Sequence, residues 1–245
     1  MKDNNIYNTD EVEKNRILNL LGLTQADIDK IKNIRILDEL FTYNLERVDK
    51  FCSLLKSKNL PSLNMWCYSR VDTINQDIVN KLKSVGVNWI AYGFESFDQD
   101  TLDLMGKKTD TKDFERAIGY ARNADVNIIA DVIAGFPNDS LESLEKTYKF
   151  LEDNLFEMIN LYPLFNLPGT SLYDNKETDW SKYQLYSNRC SPASTKYLTS
   201  SEILKWRDMA FNKYMGSPAY LSMLERKFGL ETKEHINRMI KKVIR

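Results

Sequence analysis

One histidine, three cysteines and a net charge of -1 are the scarcities that frame this sequence of 245 residues. A single imidazole, His235, leaves a zinc site hard to assemble. Cys52, Cys67 and Cys190 are odd in number and widely separated, which fits reduced thiols rather than a disulfide framework. With 34 Lys+Arg against 35 Asp+Glu, the chain has no net field to hold a phosphate backbone or an anionic bilayer. Dedicated nucleic-acid binding and polybasic membrane docking are therefore disfavoured. No run approaches the roughly 18 consecutive apolar residues of a membrane span, and Met1 to Asp10 lack the apolar core of a secretion signal. The expected location is cytoplasmic.

What is present is enough for a sizeable core: 42 % of residues are hydrophobic and 11 % aromatic. A length near 250 suits one α/β barrel or two small domains. Polar residues dominate to Asn15, and Ile17, Leu18, Leu20, Leu21 and Leu23 then predict a helix that ends near Gly22. Ile34 to Leu37 is strand-sized, and Asn44 is placed to cap a helix from Leu45 to Lys58. The same unit recurs. Leu63 to Tyr68 predicts a strand, Thr73 to Gln76 a capping box, and Ile78, Leu82 and Val85 a helix that stops at Gly86. Strands over Trp89 to Phe94, Asn127 to Ala134 and Met158 to Leu161 follow, with helices over Phe114 to Asn123 and from a cap at Asp139 to Glu142 onward to Glu152. Alternation of this kind makes parallel βαβ units, so the expected architecture is an α/β sheet of about five parallel strands. Beyond Thr170 the alternation stops. Residues 1–175 read as the barrel-like part, and 176–245 as an irregular segment followed by a helical extension that opens on the capping box Thr199 to Glu202.

Ligands of parallel α/β folds sit at the carboxyl ends of the strands, where the βα loops gather. The strand exits here are Asp38-Glu39, Ser69-Arg70, Glu95-Ser96, Gly135-Phe136-Pro137 and the stretch from Asn166 to Thr170. On the third strand, Trp89, Ala91, Gly93 and Glu95 share one face by the two-residue period. If the bulkier face packs under helices, Glu95 points inward above small residues that leave room for a ligand. A buried carboxylate needs a cation, which is either Arg70 in a structural ion pair or a ligand ammonium. Asp131 shares the face of Asn127, Ile129 and Ile133 and reads as a satisfied core carboxylate. Asp38 and Glu39 are candidates for a metal or an amine, or for the dipole of the next helix. Gly135-Phe136-Pro137 lacks the spaced glycines of a phosphate loop and reads as a turn beside a planar ligand. His235 reads as a surface helix residue.

Several runs together resemble the radical S-adenosylmethionine enzymes, in the branch that often carries a cobalamin-binding domain. They are Trp66 to Asp72, Gly86 to Ser96, Lys107, Asp131 to Pro137 and Leu167 to Tyr173, and the likeness covers about residues 10 to 245. The resemblance implies an incomplete (β/α) TIM-like barrel. It implies that Glu95, with Ser96, contacts the amino-acid or ribose part of adenosylmethionine, that Arg70 meets its carboxylate, and that Gly135 to Pro137 lie by the adenine. Glu39 matches an acidic position over the same cavity. It also implies a 4Fe-4S cluster held by a Cys-x3-Cys-x2-Cys loop after the family's first strand.

That loop and strand are not found here. Cys52 falls in a predicted helix, Cys67 in a predicted strand and Cys190 in the irregular segment, so no metal ligands or catalytic residues are assigned. Two functional expectations follow. In the first, the chain is the C-terminal portion of a radical adenosylmethionine enzyme that binds adenosylmethionine, acts on an unnamed small molecule and needs a cluster-bearing subunit or preceding segment. In the second, it is a catalytically inactive barrel that serves as a nucleoside-binding or protein-interaction module, its open edge covered by the Met1 to Leu23 helix or by another subunit. A weaker third reading, a barrel hydrolase using Asp38, Glu39 and Glu95, has no nucleophile or metal set to support it.

Overall fold

The structure is a computed structural model that describes residues 16, 24–28, 30–57, 63–173, 179–185 and 189–241. The helix predicted over Ile17 to Leu23 and the end of the second helix at Lys58 lie outside the described residues. Five parallel strands form one sheet: β1 (Asn33–Arg35), β2 (Asn64–Ser69), β3 (Val87–Glu95), β4 (Asn127–Ala134) and β5 (Met158–Pro163), paired in sequence order. Helices cross over between them: α1 (Gln25–Ile28) precedes β1, and α2 (Leu45–Ser57), α3 (Gln76–Lys83), α4 (Gln99–Leu104), α5 (Thr111–Asn123) and α6 (Leu141–Asn154) follow. The result is a curled half-barrel, an incomplete TIM-like α/β fold. Among the described residues no helix is long and apolar enough to cross a membrane.

The strands are two-faced, and that decides where a ligand can sit. Met65, Cys67, Ile90, Tyr92, Phe94, Ile128, Ala130, Val132 and Ile159 face the crossover helices and are at most 2 % exposed. They form the main core with Val79, Leu82, Phe114, Ala117 and Leu151 from the helices. At roughly 1.5–3 kcal/mol per fully buried large apolar side chain, this packed face carries most of the stabilisation. The opposite, inner face holds Arg35, Trp66, Tyr68, Trp89, Gly93, Glu95, Asp131 and Asn160, all only partly covered or exposed. Register places Gly93 beside Asp131 and Asp131 beside Asn160.

Three local expectations are corrected. The first strand is Asn33–Arg35, not Ile34 to Leu37, because β2 registers only those three residues and Leu37 stands 78 % exposed. Thr73 does not cap its helix: Asn75 accepts from Ile78 N at 3.0 Å, while the Thr73 hydroxyl lies 2.9 Å from that of Thr42. Asp139 does not cap α6 either, since Ser140 does so in a box with Ser143. The predicted box at Thr199 and Glu202 is present and opens α7 (Ser200–Met215).

The helical extension packs into the same core. Ile203, Trp206 and Tyr214 of α7 are buried there, and the Tyr214 hydroxyl donates to Phe156 O at 2.7 Å. Helices α8 (Pro218–Phe228) and α9 (Leu230–Ile240) then run beneath the amino ends of the strands. Phe228 stacks on Trp89 at 5.5 Å between ring centroids, and the Tyr220 hydroxyl donates to Glu157 O at 3.0 Å.

Candidate functional site

The site is built at the end of β3. A register shift against β4 falls between Gly93 and Glu95, and Glu95 takes a φ of 66°, a left-handed conformation that a non-glycine residue rarely adopts. The bulge re-aims the carboxylate over Gly93. A Cβ placed on Gly93 would lie 2.6 Å from Glu95 Oε1, so glycine is what leaves space for the carboxylate there.

The partner of Glu95 is Lys107, whose Nζ lies 3.0 Å from Oε1 and also donates to Gly93 O. A chain of local devices brings this lysine back to the strand. Ser96 Oγ accepts from Asp98 N at 3.1 Å, and Asp98 caps α4 by accepting from Thr101 N at 3.2 Å. Gly106, at φ 67°, ends the helix, and Lys107 N donates to Leu102 O at 3.1 Å. The lysine side chain is 10 % exposed and the glutamate 26 %. Burial lowers the Lys107 ammonium from its ordinary range, and the Glu95 charge opposes that shift.

Arg70, one of the two cations the sequence offers for Glu95, does not pair with it. Arg70 makes a two-pronged contact with Asp72, from Nε to Oδ1 at 2.8 Å and from Nη2 to Oδ2 at 2.7 Å. That contact raises Arg70 and lowers Asp72, yet Arg70 stays close enough for Glu95 to act on it through charge. The loop that carries Arg70 is tied down by hydroxyls, with Thr42 Oγ1 at 2.7 Å from Ser69 Oγ and Thr73 Oγ1 at 3.2 Å from Arg70 O. The strand exits therefore gather two cations, Arg70 and Lys107, and two anions, Asp72 and Glu95. Ser96 is 3 % exposed and serves the Asp98 turn rather than the open face. Glu39 lies exposed in the turn after β1, and among the described residues no contact joins it to Glu95.

Lower on the inner face, Asp131 accepts from Asn160 Nδ2 at 2.7 Å. Burial pushes its carboxyl up to about 6, with Asn160 and Arg35 pulling it down and Glu95 pushing it further up. The core reading of Asp131 is thus half right, because its partner is an amide and its environment still disfavours the charge.

Gly135, at φ 106°, leaves β4 in a conformation suited to glycine, and Ile203 of α7 lies 3.3 Å from where its Cβ would stand. Sequence reasoning missed what holds this turn. Asp139, 1 % exposed, accepts from Gly135 N at 2.8 Å and Phe136 N at 3.0 Å through Oδ2. Its other oxygen accepts from Thr101 and Ser143 hydroxyls, each at 3.2 Å. Burial raises the Asp139 carboxyl while these four bonds pull it down. Pro137, partly covered, receives Lys196 N on its carbonyl at 2.8 Å, so the turn is pinned from the tail as well.

Cys52, Cys67 and Cys190 are free and buried, on α2, on β2 and in the segment before α7, and burial pushes the Cys67 thiol up to about 12. Among the described residues no group of three or more His, Cys, Asp or Glu side chains can hold a metal ion. His235 is an exposed residue of α9, as expected.

The chain is similar to an uncharacterized methyltransferase of Pyrococcus horikoshii, 25 % identical over 198 residues, which are 78 % of this chain and 42 % of that protein. It is also similar to an anaerobic magnesium-protoporphyrin IX monomethyl ester cyclase of Cereibacter sphaeroides, 30 % identical over 185 residues, 72 % of this chain and 29 % of the other. The chain thus spans less than half the length of these relatives. The fold is shared with the radical S-adenosylmethionine methyltransferase TsrM from Kitasatospora setae, at a TM-score of 0.53 and 14 % identity over 66 % of this chain and 32 % of that one. That structure holds cobalamin and a 4Fe-4S cluster. Residues 3–151, more than half of the chain, match the family described as the radical SAM superfamily. The chain belongs to the radical SAM superfamily.

Proposed function

We propose that this chain supplies the adenosylmethionine-binding part of a radical SAM enzyme. The reading rests on one observation: the Glu95–Lys107 pair, set by a bulge over Gly93, stands beside the Arg70–Asp72 pair at the strand exits. An amino acid end carries an ammonium and a carboxylate, and alternating fixed charges complement both. Glu95 is the acceptor for the ammonium, and Lys107 with Arg70 supplies donors for the carboxylate. Gly93 leaves the space in which the Glu95 carboxylate sits beside Lys107. The Gly135 to Pro137 turn, locked by Asp139, offers a rigid backbone edge for the adenine. Adenosylmethionine itself supplies the sulfonium centre whose carbon–sulfur bond the family breaks.

A 4Fe-4S cluster does not fit the three cysteines of this chain, which are buried on separate elements. Cluster thiolates are soft, charged ligands that have to converge on one centre. We therefore assign the cluster ligands to a segment or subunit other than these cysteines, and the substrate to an unnamed small molecule. The second reading, a catalytically inactive module, draws no support from relatives that are enzymes by name.

Calorimetry with adenosylmethionine tests the binding site: saturable heat is expected from the wild type, and affinity at least tenfold weaker from Glu95→Ala. Absence of heat from the wild type would sink the proposal. Anaerobic reconstitution with iron and sulfide tests the cluster assignment. Absorption bands of a cluster are expected only when a segment carrying the three-cysteine loop is added, and bands from this chain alone would overturn it.

A further inference from the structure

At the opposite end of the inner face from Glu95 lies a cavity of about 520 Å³. Its walls are the first residues of β1, β2 and β5, the third residues of β2, β3 and β4, and one side each of α8 and α9. Along β3 the third residue, Trp89, and the last, Glu95, are six residues apart, or about 20 Å of strand. The cavity is therefore separate from the charged site at the strand exits, though both open on one face.

The one carboxylate of this wall and the side chains of Asn64, Tyr220 and Thr232 are already engaged, and the indole N–H groups of Trp66 and Trp89 are its remaining aromatic donors. Glu157 uses Oε1 for Lys227 at 2.6 Å and Oε2 for Ile128 N at 2.8 Å. Asn64 donates to Asn33 Oδ1 at 2.8 Å and accepts from Asn88 at 3.2 Å. Thr232 donates to Phe228 O at 3.1 Å, and the Tyr220 hydroxyl is spent on Glu157 O. A cationic occupant would lose its hydration with no free carboxylate to replace it, since both oxygens of Glu157 are taken. The remaining wall is aliphatic and aromatic, with flat surfaces from Trp66, Trp89 and Phe228. Trp89 and Phe228 stack within 13° of parallel, and Trp66 has the Arg35 guanidinium 4.5 Å from its ring centre. The volume falls in the range of small-molecule sites, roughly 300–1,000 Å³.

We propose that this cavity binds a neutral, planar aromatic group. Its use as the anchor for the ring portion of the enzyme's substrate rests on the reading of the strand exits given above; the binding itself does not. N-Phenyl-1-naphthylamine, an uncharged aromatic fluorophore, is the probe, titrated into the full chain. One saturable site is expected, with energy transfer from tryptophan to the probe. Ile236→Trp, which fills the cavity from the partly exposed α9, is expected to weaken the probe at least tenfold, and Phe228→Ala to weaken it severalfold. Decanol on the wild type is expected to displace the probe poorly. Non-saturating fluorescence, equal affinity in both variants, or displacement by decanol as effective as by naphthalene would each overturn the proposal. Calorimetry with adenosylmethionine on the same samples is expected to give one affinity for wild type and Ile236→Trp. Loss of that heat in all samples would sink the strand-exit site and leave the probe result standing, so the two failures are distinguishable.

Discussion

Lys107, twelve positions beyond Glu95, turns back on it, its ammonium 3.0 Å from the carboxylate that β3 delivers through a left-handed residue. The pair is largely shielded, and the Glu95 charge offsets part of the burial that lowers the Lys107 ammonium. Removing one partner of a shielded pair costs more than the pair itself contributes, because the survivor keeps its desolvation penalty. Lys107→Met is therefore expected to lower stability by about 1–3 kcal/mol, less than a fully buried pair would lose since Glu95 is partly exposed. Adenosylmethionine affinity should fall more than tenfold. Lys107→Arg should recover most of the stability, and denaturant unfolding with calorimetry checks both.

Gly93→Ala separates space from charge. The added methyl would sit 2.6 Å from Glu95 Oε1. The carboxylate has to move away from Lys107 or rotate upward. A loss of ligand affinity comparable to that of Glu95→Ala is expected, with a loss of stability no larger than that of Lys107→Met. Equal affinity in Gly93→Ala and wild type would refute the role given to this glycine.

The turn after β4 hangs on one buried carboxylate. In Asp139→Ala the N–H groups of Gly135 and Phe136 lose their acceptor, while the hydroxyls of Thr101 and Ser143 keep Asp98 Oδ2 and Ser140 O. Unsatisfied buried donors cost about 1–3 kcal/mol each where water cannot reach them, so a loss of about 3 kcal/mol or more is expected. Asp139→Asn keeps an acceptor oxygen and should lose less. Hydrogen exchange at Gly135 and Phe136 provides the local measurement.

Much of this arrangement is legible in the sequence because it rests on short periods. The alternation in Asn127 to Ala134 gives β4 its full length, and the same two-residue rule puts Glu95 on the inner face over Gly93. What the sequence hides is where tertiary closure chooses among equivalent local options. Arg70 is nearer to Asp72 in sequence than to Glu95, and a two-pronged local contact wins over the longer one. Lys107 reaches Glu95 only because a six-residue helix, too short to show a period, turns the chain at Gly106. Thr73 and Asp139 both stand where a helix cap is plausible by type, yet other partners claim them first: the distant Thr42 for one, and for the other the amides of the preceding turn with the distant Thr101. The cavity beneath Trp89 has no local signature, since its walls come from five strands and two helices spread from Asn33 to Ile236.

Asp131 makes the pH dependence of folding predictable. Its carboxyl sits at about 6 in the folded chain against 3.8 for the unperturbed group, with burial as the leading cause. An acid raised on folding holds its proton longer in the native state than in the unfolded one. Its contribution is therefore most favourable below about pH 4 and is lost as pH rises through 6, the reverse of a carboxylate in an ion pair. A shift of about two pH units corresponds to at most about 3 kcal/mol, reduced by the partial exposure of the group. Asp131→Asn removes this dependence while keeping a partner for Asn160. The variant should match the wild type near pH 4 and exceed it by about 1–3 kcal/mol at pH 7.5, measured by urea unfolding across that interval. A stability difference that stays constant from pH 4 to 7.5 would show that Asp131 titrates at its ordinary value and that the inner face is wetter than its burial implies.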